Sequence, residues 1–265
     1  MLIQSTPFKF LCLIAISLCS LVSPIDDSIA VVFNDAITKY SDMVDPIVHI
    51  YRGGKHGSGV IIHRQFMPDS KVYIYLVVTN YHVINIDKYR VLFKIDGITG
   101  KEIYQTFYIP PRITPFQEQT SKWHTYDGKV AIQEPQKDLA ILRFQSEIMY
   151  PLARLASKEM LDKLQVFDRV YAVGCQLGEK PAPTDGIISG IIKNNYFSGF
   201  LTNAEIAPGS SGGGLFRQFD DHYYLIGISS KTDVFYGRFV SHRAYSISVE
   251  ILKDLLIANS VMDKS

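Results

Sequence analysis

Cysteine is scarce in this chain, and its distribution excludes a fold held together by disulfide bonds. Of the three cysteines, Cys12 and Cys19 lie in an apolar N-terminal segment, so removal of that segment would leave Cys175 alone. A single thiol cannot form an intramolecular bridge. Cys175 lies in the mostly apolar run VYAVGCQLG, which favours inert packing over a reactive thiol. Stability must come from a hydrophobic core, which a chain of 265 residues can build.

An excess of charge of either sign is also missing, since 27 basic side chains stand against 26 acidic ones. The composition therefore gives no reason to expect nucleic acid or an anionic membrane surface as a partner. No stretch repeats at a fixed period, and none is of low complexity. No pair among the seven histidines has metal-ligand spacing, so we expect no metal site.

The N-terminal apolar run is too short for a membrane span. It extends from Phe10 to Val22, whereas a spanning helix needs about 20 apolar residues. A short uncharged run behind a basic residue, followed by small residues, is typical of a signal peptide. We predict a signal peptide over 1–30, cut after Ala30, and an exported mature chain over 31–265 that is periplasmic or secreted. An uncleaved anchor remains the alternative.

The rest of the chain predicts β structure with one helix at each end. Apolar residues recur at helical spacing from Ser28 to Val44, and Pro46 ends that helix. The piece SVEILKDLLIANS, which begins at Ser248, has the same helical spacing. Between them lie short runs rich in β-branched and aromatic residues, separated by Gly, Pro, Asn and Asp. They include IVHIY, GVIIH, VYIYLVVT, RVLFKI, EIYQTFYI, LAILRF, VYAVG, GIISGII, FLTNAEI, YYLIGISS and AYSIS.

These runs divide roughly equally around a connection from Leu152 to Val166, which predicts an all-β fold of two antiparallel six-stranded β-barrels. We expect the N-terminal barrel at about 45–150, the C-terminal barrel at about 165–247 and the closing helix at 248–258. The irregular piece from Pro110 to Pro135 is interpreted as a surface insertion.

The most informative segment is EIAPGSSGGGLF, from Glu205 to Phe216. Its density of glycine indicates backbone geometry that other residues disfavour. Such a loop can direct consecutive N–H groups to one spot, where they would stabilise the oxyanion formed in acyl transfer. The donors would be Gly209 and Ser211, with Ser210 close by. A glycine-rich hairpin without chemistry is the alternative, and a phosphate-binding loop is disfavoured because no Gly-Lys-Ser/Thr follows.

A serine hydroxyl needs a base to act as a nucleophile, and His82 is the best candidate. It follows the strand-like run VYIYLVVTN, which would carry the imidazole to a barrel rim. Asp138 opens the apolar run from Leu139 to Phe144 directly after a loop, and a carboxylate there can hold the imidazole in one tautomer. The competing carboxylates Asp87, Asp96 and Asp127 remain open on physical grounds.

Six segments of the chain, taken in order, resemble the trypsin-like serine proteases of the HtrA/Deg type, which have the chymotrypsin fold. They are GSGVII, VVTNYHVI, KDLAILRF, AVGCQLG, GIISGII and TNAEIAPGSSGGGLF. The resemblance implies that His82 is the base, Asp138 its orienting partner and Ser211 the nucleophile, with backbone amides of Gly209 and Ser211 in the oxyanion hole. No metal or organic cofactor is implied. Protein or peptide substrates are implied as partners.

The chain departs from this family at several points. Ser210 stands where the family usually has Asn, and Gly214 where it usually has Pro, but neither change removes a catalytic group. The interval from His82 to Asp138 is long for the HtrA type. We do not expect a PDZ domain after the closing helix, nor activation by cleavage at an Ile-Val-Gly-Gly start. Kinship also suggests trimers formed through the N-terminal segment, with Phe33 and Tyr40 as candidates.

The resemblance also suggests residues that bind the substrate. Glu205 lies where trypsin-like proteases form the floor of the primary specificity pocket, and an acidic floor would attract Lys or Arg. The segment with Ser229, Ser230 and Lys231 would pair with the substrate backbone. Alternatively, Glu205 points away or is neutralised by Lys231.

Two rival functions come from other classes. GSSGG also fits G-x-S-x-G, the nucleophile motif of α/β-hydrolase esterases, and Asp233 and His242 follow it. That fold requires alternating strands and long helices, which the sequence lacks. The other rival is a protease fold that serves as a binding or chaperone module without turnover.

Overall fold

The structure is a computed structural model that describes residues 35–85, 89–116, 124–194 and 197–261. The predicted signal peptide, Phe33 and Asp87 lie outside these ranges. The strands are β1 (Ile47–Arg52), β2 (Lys55–Met67), β3 (Val72–Thr79), β4 (Tyr89–Ile95), β5 (Glu102–Phe107), β6 (Arg112–Pro115), β7 (Tyr126–Asp127), β8 (Lys129–Glu134), β9 (Leu139–Ser146), β10 (Arg154–Leu155), β11 (Arg169–Gly174), β12 (Ala182–Lys193), β13 (Ser198–Thr202), β14 (Gly214–Phe219), β15 (His222–Phe235) and β16 (Arg238–Ser248).

Helices are few and short. Residues 35–39 form an α-helix that continues as the π-helical segment Tyr40–Val44, which confirms the described part of the predicted N-terminal helix. The other α-helices are α1 (Tyr81–Ile84), α2 (Lys158–Asp162) and α3 (Val249–Ala258). The hydroxyl of Ser248 caps α3 by accepting from the N–H of Glu250. No helix in the described ranges is long and apolar enough to cross a membrane.

The C-terminal strands close into a barrel of six strands in the order β15, β14, β11, β12, β13, β16, because β16 pairs back onto β15. The short strand β10 adds to β15 in parallel. The N-terminal strands form one sheet in the order β7, β6, β1, β2, β3, β9, β8. Its outermost strands, β7 and β8, are not paired with each other in the described residues. The predicted two-barrel fold is therefore confirmed, with the N-terminal barrel as an open half-barrel.

The interpretation of Pro110 to Pro135 as a surface insertion is wrong for the described ends of that piece. Strand β6 pairs with β1, and β8 pairs with β9, so both extend the N-terminal sheet. Ile113 of β6 is fully buried in the N-terminal core. The part of the chain that forms a separate two-stranded sheet is instead the hairpin of β4 and β5.

Strand β9 shows why several runs are apolar at every position rather than at every second one. Ala140, Leu142 and Phe144 belong to the core inside the N-terminal half-barrel, whereas Leu139 and Ile141 belong to the core that extends into the C-terminal barrel. Successive side chains of a strand point to opposite faces, so both faces of β9 are buried from Leu139 to Leu142. A stretch of strand covered on both faces is apolar at every position.

The α/β-hydrolase reading is wrong. That fold needs a parallel sheet with helices between its strands. Among the described strands the pairings are antiparallel apart from β10 with β15.

Cys175 is fully buried, and this burial raises the pKa of its thiol to about 12, so the thiol is protonated at neutral pH.

Candidate active site

The pairing of β3 with β9 brings His82 beside Asp138. These strands are antiparallel with Thr79 opposite Ala140, so the residues after β3 lie beside those before β9. The N–H of Tyr81 and the side-chain amide of Asn80 both donate to the Asp138 carbonyl, at 3.1 and 3.0 Å. The buried side chains of Val83 and Ile84 hold α1, which carries His82, against the half-barrel.

The imidazole of His82 is bound on one side by the Asp138 carboxylate. Nδ1 of His82 lies 3.0 Å from Oδ1 and 2.9 Å from Oδ2 of Asp138. The backbone N–H of His82 donates to Oδ1 at 3.0 Å, which fixes the carboxylate relative to the helix. With Nδ1–H donated to a carboxylate, Nε2 is left as the acceptor nitrogen.

Asp138 has an unusual backbone conformation, and its surroundings favour the charged form of its carboxyl group. Its φ is 52°, in the left-handed region that Asp tolerates better than most residues. Burial would raise the pKa of its carboxyl group, but the hydrogen bonds from His82, the His82 charge and the Ser230 hydroxyl together lower it below the ordinary value. Asp138 is therefore ionised at neutral pH.

The other candidate carboxylates within the described residues, Asp96 and Asp127, make no hydrogen bond to His82. Both N–H donors to Asp96 come from its own turn, from Ile98 and Thr99. Asp127 lies in β7, where it stands opposite Arg112 in the antiparallel register with β6. Asp233, the acid of the esterase reading, is bound by Arg243 at 2.6 Å.

Backbone contacts fix the peptide planes of the loop around Ser211. The Pro208 carbonyl accepts from the N–H of Leu177 at 2.7 Å, and the Ser210 carbonyl accepts from the N–H of Gly213 at 2.9 Å. The C=O and N–H of a trans peptide point in opposite directions. The N–H of Gly209 therefore points away from Leu177, and the N–H of Ser211 points away from Gly213. Neither N–H has an acceptor in the described part of the chain.

Glycine is required at the first of these donors. The φ of Gly209 is 97°, and a Cβ atom there would collide with the carbonyl oxygen of Cys175. Ser210, by contrast, does not share the predicted oxyanion role. Its N–H donates to the Ala207 carbonyl at 2.9 Å, and its buried hydroxyl accepts from the N–H of Ala207. The turn uses this amide internally, so the prediction for Ser210 is wrong.

The side chain of Ser211 borders a pocket of about 350 Å³ that His82 also lines. The Ser211 hydroxyl donates to the Ser230 carbonyl at 3.0 Å. Apolar side chains that line the pocket come from Ile206, Ala207, Pro208 and Phe239.

Residues 57–228 match the model of the trypsin-like peptidase domain. The chain belongs to the trypsin-like peptidase family. The match begins in β2 and ends in β15, so it contains His82, Asp138 and Ser211.

Curated relatives of this peptidase-family chain include periplasmic serine endoprotease DegP from two bacteria. The Salmonella typhimurium protein is 32% identical over 117 residues, which are 42% of this chain and 23% of that protein. The Escherichia coli K12 protein is 28% identical over 128 residues, 46% of this chain and 26% of that protein. The alignments thus span about a quarter of the relatives.

Solved structures support the peptidase fold. The HtrA-type protease AlgW with tripeptide superposes with a TM-score of 0.59 at 20% identity, covering 86% of this chain and 63% of that one. A serine endoprotease from Yersinia pestis gives a TM-score of 0.57 at 19% identity, covering 91% of this chain and 68% of that one.

The predicted substrate-binding residues of this peptidase domain have different surroundings. Glu205 does not line the pocket, so its prediction as the pocket floor is wrong: its carboxylate accepts from the Ser241 hydroxyl at 3.3 Å, while neighbouring Ala204 and Ile206 are buried. Ser229 is buried, and its backbone bonds to Gly212 and Gly213. Lys231 does line the pocket.

Sequence reasoning missed the main contact of Ser230. Its hydroxyl donates to Oδ2 of Asp138 at 2.9 Å, while its predicted part in substrate binding rests on its position in the lining of the pocket. Ser230 is far from Asp138 along the chain and lies in the other barrel, so no local sequence pattern predicts this bond. It adds a third donor to the Asp138 carboxylate, besides the backbone and side chain of His82.

Replacing Ser230 by Ala should raise the pKa of Asp138, because the variant removes a donor that favours the charged carboxylate. Titration of side-chain carboxyl carbons by NMR measures this pKa directly. Ser229→Ala is the matched control, since Ser229 is the neighbouring buried serine and its hydroxyl does not contact Asp138. An Asp138 pKa that is equal in Ser230→Ala and in the native protein would contradict the assignment of this bond.

Proposed function

We propose that this chain is a serine endopeptidase that hydrolyses peptide bonds of protein substrates through an acyl-enzyme on Ser211. The observation that carries the proposal is the combination of an imidazole held by an ionised carboxylate with two acceptor-free amides, all beside one serine. His82 and Ser211 line the same pocket, and Gly209 and Ser211 supply the two amides.

In the proposed acylation step, the Ser211 oxygen attacks the carbonyl carbon of the substrate while Nε2 of His82 takes the hydroxyl proton. For this transfer the Ser211 hydroxyl must turn from the Ser230 carbonyl toward the imidazole by rotating about its Cα–Cβ bond. Asp138 accepts from Nδ1–H throughout and stabilises the imidazolium that forms.

The oxyanion of the tetrahedral intermediate would be bound by the N–H groups of Gly209 and Ser211. These donors are already oriented by the anchored peptide planes, so little reorganisation is needed as charge develops on the oxygen. The imidazolium then returns its proton to the leaving amine, and the peptide C–N bond breaks. Water, deprotonated by the same imidazole, hydrolyses the acyl-enzyme and regenerates the Ser211 hydroxyl.

Ser211→Ala should abolish labelling by a fluorophosphonate probe and lower casein turnover by at least about 10³-fold, because the variant lacks the attacking oxygen. Both readouts would be taken on purified residues 31–265. Ser146→Ala is the control, because Ser146 is a buried serine on β9 that lies outside the pocket. It should be labelled and turn over substrate like the native protein.

Two outcomes would contradict this proposal in different ways. Absence of labelling and turnover in the native protein would favour the non-catalytic binding module. Equal labelling of native protein and Ser211→Ala would mean that another residue reacts with the probe.

The pocket supports an apolar residue, rather than Lys or Arg, on the N-terminal side of the cleaved bond. Its apolar lining and the positive charge of Lys231 disfavour a cationic side chain, and no carboxylate lines it in the described residues. Strand β15 would align the substrate, because its pairing with β14 ends at Ile228. From Ser230 onward, the edge of β15 opposite β16 is open to a substrate strand in the described structure.

Peptides that differ only in the residue on the N-terminal side of the cleaved bond, which is Val, Leu, Lys or Glu, should differ in kcat/KM. We expect Val or Leu to exceed Lys by about tenfold or more, since burying a charge in this pocket is costly. Glu205→Gln should leave the order unchanged, because the Glu205 side chain lies outside the pocket. Preference for Lys in the native protein, lost in Glu205→Gln, would restore the acidic-floor interpretation.

We also propose export to the periplasm or beyond, on the strength of the apolar run near the N-terminus and the periplasmic relatives. Expression of the full chain in a bacterium that secretes through the general pathway should yield a protein that begins at Val31, after removal of 1–30. N-terminal sequencing of the extracytoplasmic fraction tests this, and an intact Met1 start in that fraction would indicate an uncleaved anchor.

A further inference from the structure

We propose that Ser58 of β2 is a positioning residue for the oxyanion hole, acting through the backbone of Gly209 and Ser211. The proposal rests on the endopeptidase function given above and assigns this function a residue outside the triad. Ser58 is fully buried and lies in the N-terminal half-barrel, whereas the loop it contacts belongs to the C-terminal barrel.

Ser58 binds the carbonyl groups of both proposed oxyanion donors. Its hydroxyl donates to the Gly209 carbonyl at 2.7 Å, and its backbone N–H donates to the Ser211 carbonyl, also at 2.7 Å. The Ser58 hydroxyl in turn accepts from the N–H of Cys175 at 2.7 Å. A single residue therefore ties the loop that contains Gly209 and Ser211 to β2 and to Cys175, directly after β11.

These bonds complete the restraint on each donor residue. Leu177 and Gly213 fix the peptides that precede the two donors, and Ser58 fixes the peptides that follow them. The φ and ψ angles of a residue depend on the planes of both flanking peptides, so Gly209 and Ser211 are each held from both sides. Gly209 needs this restraint most, because glycine without it explores a wide range of φ and ψ.

The surroundings of Ser58 leave little freedom for another arrangement. The Thr79 hydroxyl donates to the Ser58 carbonyl at 2.7 Å. A Cβ at Gly212 would collide with that same carbonyl oxygen, and a Cβ at Gly174 would lie 3.1 Å from the Ser58 hydroxyl. Loss of the hydroxyl would leave the Gly209 carbonyl and the Cys175 N–H without these partners in a buried site.

Ser58→Ala should therefore lower kcat and leave KM within about twofold, because aligned oxyanion donors act mainly in the transition state. We expect kcat for the preferred peptide and the rate of fluorophosphonate labelling to fall by about tenfold or more. A purely structural role would reduce the amount of folded protein but not kcat per folded active site.

Ser146→Ala is a matched control for burial and hydrogen bonding. Like Ser58, Ser146 is buried, and its hydroxyl makes two bonds, to the N–H of Ile148 at 2.9 Å and to the Tyr126 hydroxyl at 2.8 Å. Both variants should melt at a lower temperature than the native protein. Only Ser58→Ala should lose kcat, and equal kcat in the two variants would overturn the proposal.

Hydrogen exchange of the peptide that spans 205–216 provides a readout that does not depend on turnover. We expect faster exchange of this peptide in Ser58→Ala than in Ser146→Ala and the native protein, because the loop has lost an anchor. Unchanged exchange would overturn the positioning role even if the native protein proves inactive, which would refute the endopeptidase function separately.

Thr79→Val is a second variant in case Ser58→Ala fails to fold. It keeps the Ser58 hydroxyl and the volume of the side chain but removes the donor to the Ser58 carbonyl. We expect a smaller loss of kcat in the same direction, with KM unchanged and faster exchange of 205–216. A Thr79→Val protein with native kcat and native exchange would overturn the proposal.

Discussion

The pairing of β3 with β9 is the contact on which the candidate site depends. It sets Thr79 opposite Ala140, so that the residues after one strand and before the other lie side by side. A one-residue shift of this register would turn the side chains of one strand to the opposite faces and carry His82 away from Asp138. Burial on both faces, with Leu139 and Ala140 in different cores, penalises such a shift.

Each barrel supplies only part of the site. The half-barrel contributes His82, Asp138 and Ser58, whereas the closed barrel contributes Ser230 and the loop with Gly209 and Ser211. In one bond between the barrels, Ser230 of the closed barrel donates to Asp138 of the half-barrel. In another, Ser58 of the half-barrel donates to Gly209 of the closed barrel. Because a hydrogen bond needs its donor and acceptor within about 3 Å of each other, both barrels must keep their relative position for these bonds to persist.

In the glycine-rich loop around Ser211, steric crowding restricts two positions to glycine. Positions 209 and 212 have φ of 97° and 87°, and a Cβ at either would collide with a carbonyl oxygen. Glycine removes both conflicts but also removes the steric limits that would keep the loop in one conformation. The hydrogen bonds from Leu177, Gly213 and Ser58 supply the order that side chains cannot supply here.

The sequence alone determined the fold class and singled out His82 and Ser211 as candidate site residues, because these depend on patterns within short segments. Strand-like runs, the glycine-rich loop around Ser211 and the apolar strand before His82 are local signals. The sequence could not decide among Asp87, Asp96, Asp127 and Asp138, since only strand register brings a distant carboxylate to an imidazole. It also misjudged Glu205 and Ser210 and missed the bond from Ser230 to Asp138, because these depend on which way a side chain or amide points. Those directions follow from contacts between strands that are far apart in the chain, and only the tertiary structure decides them.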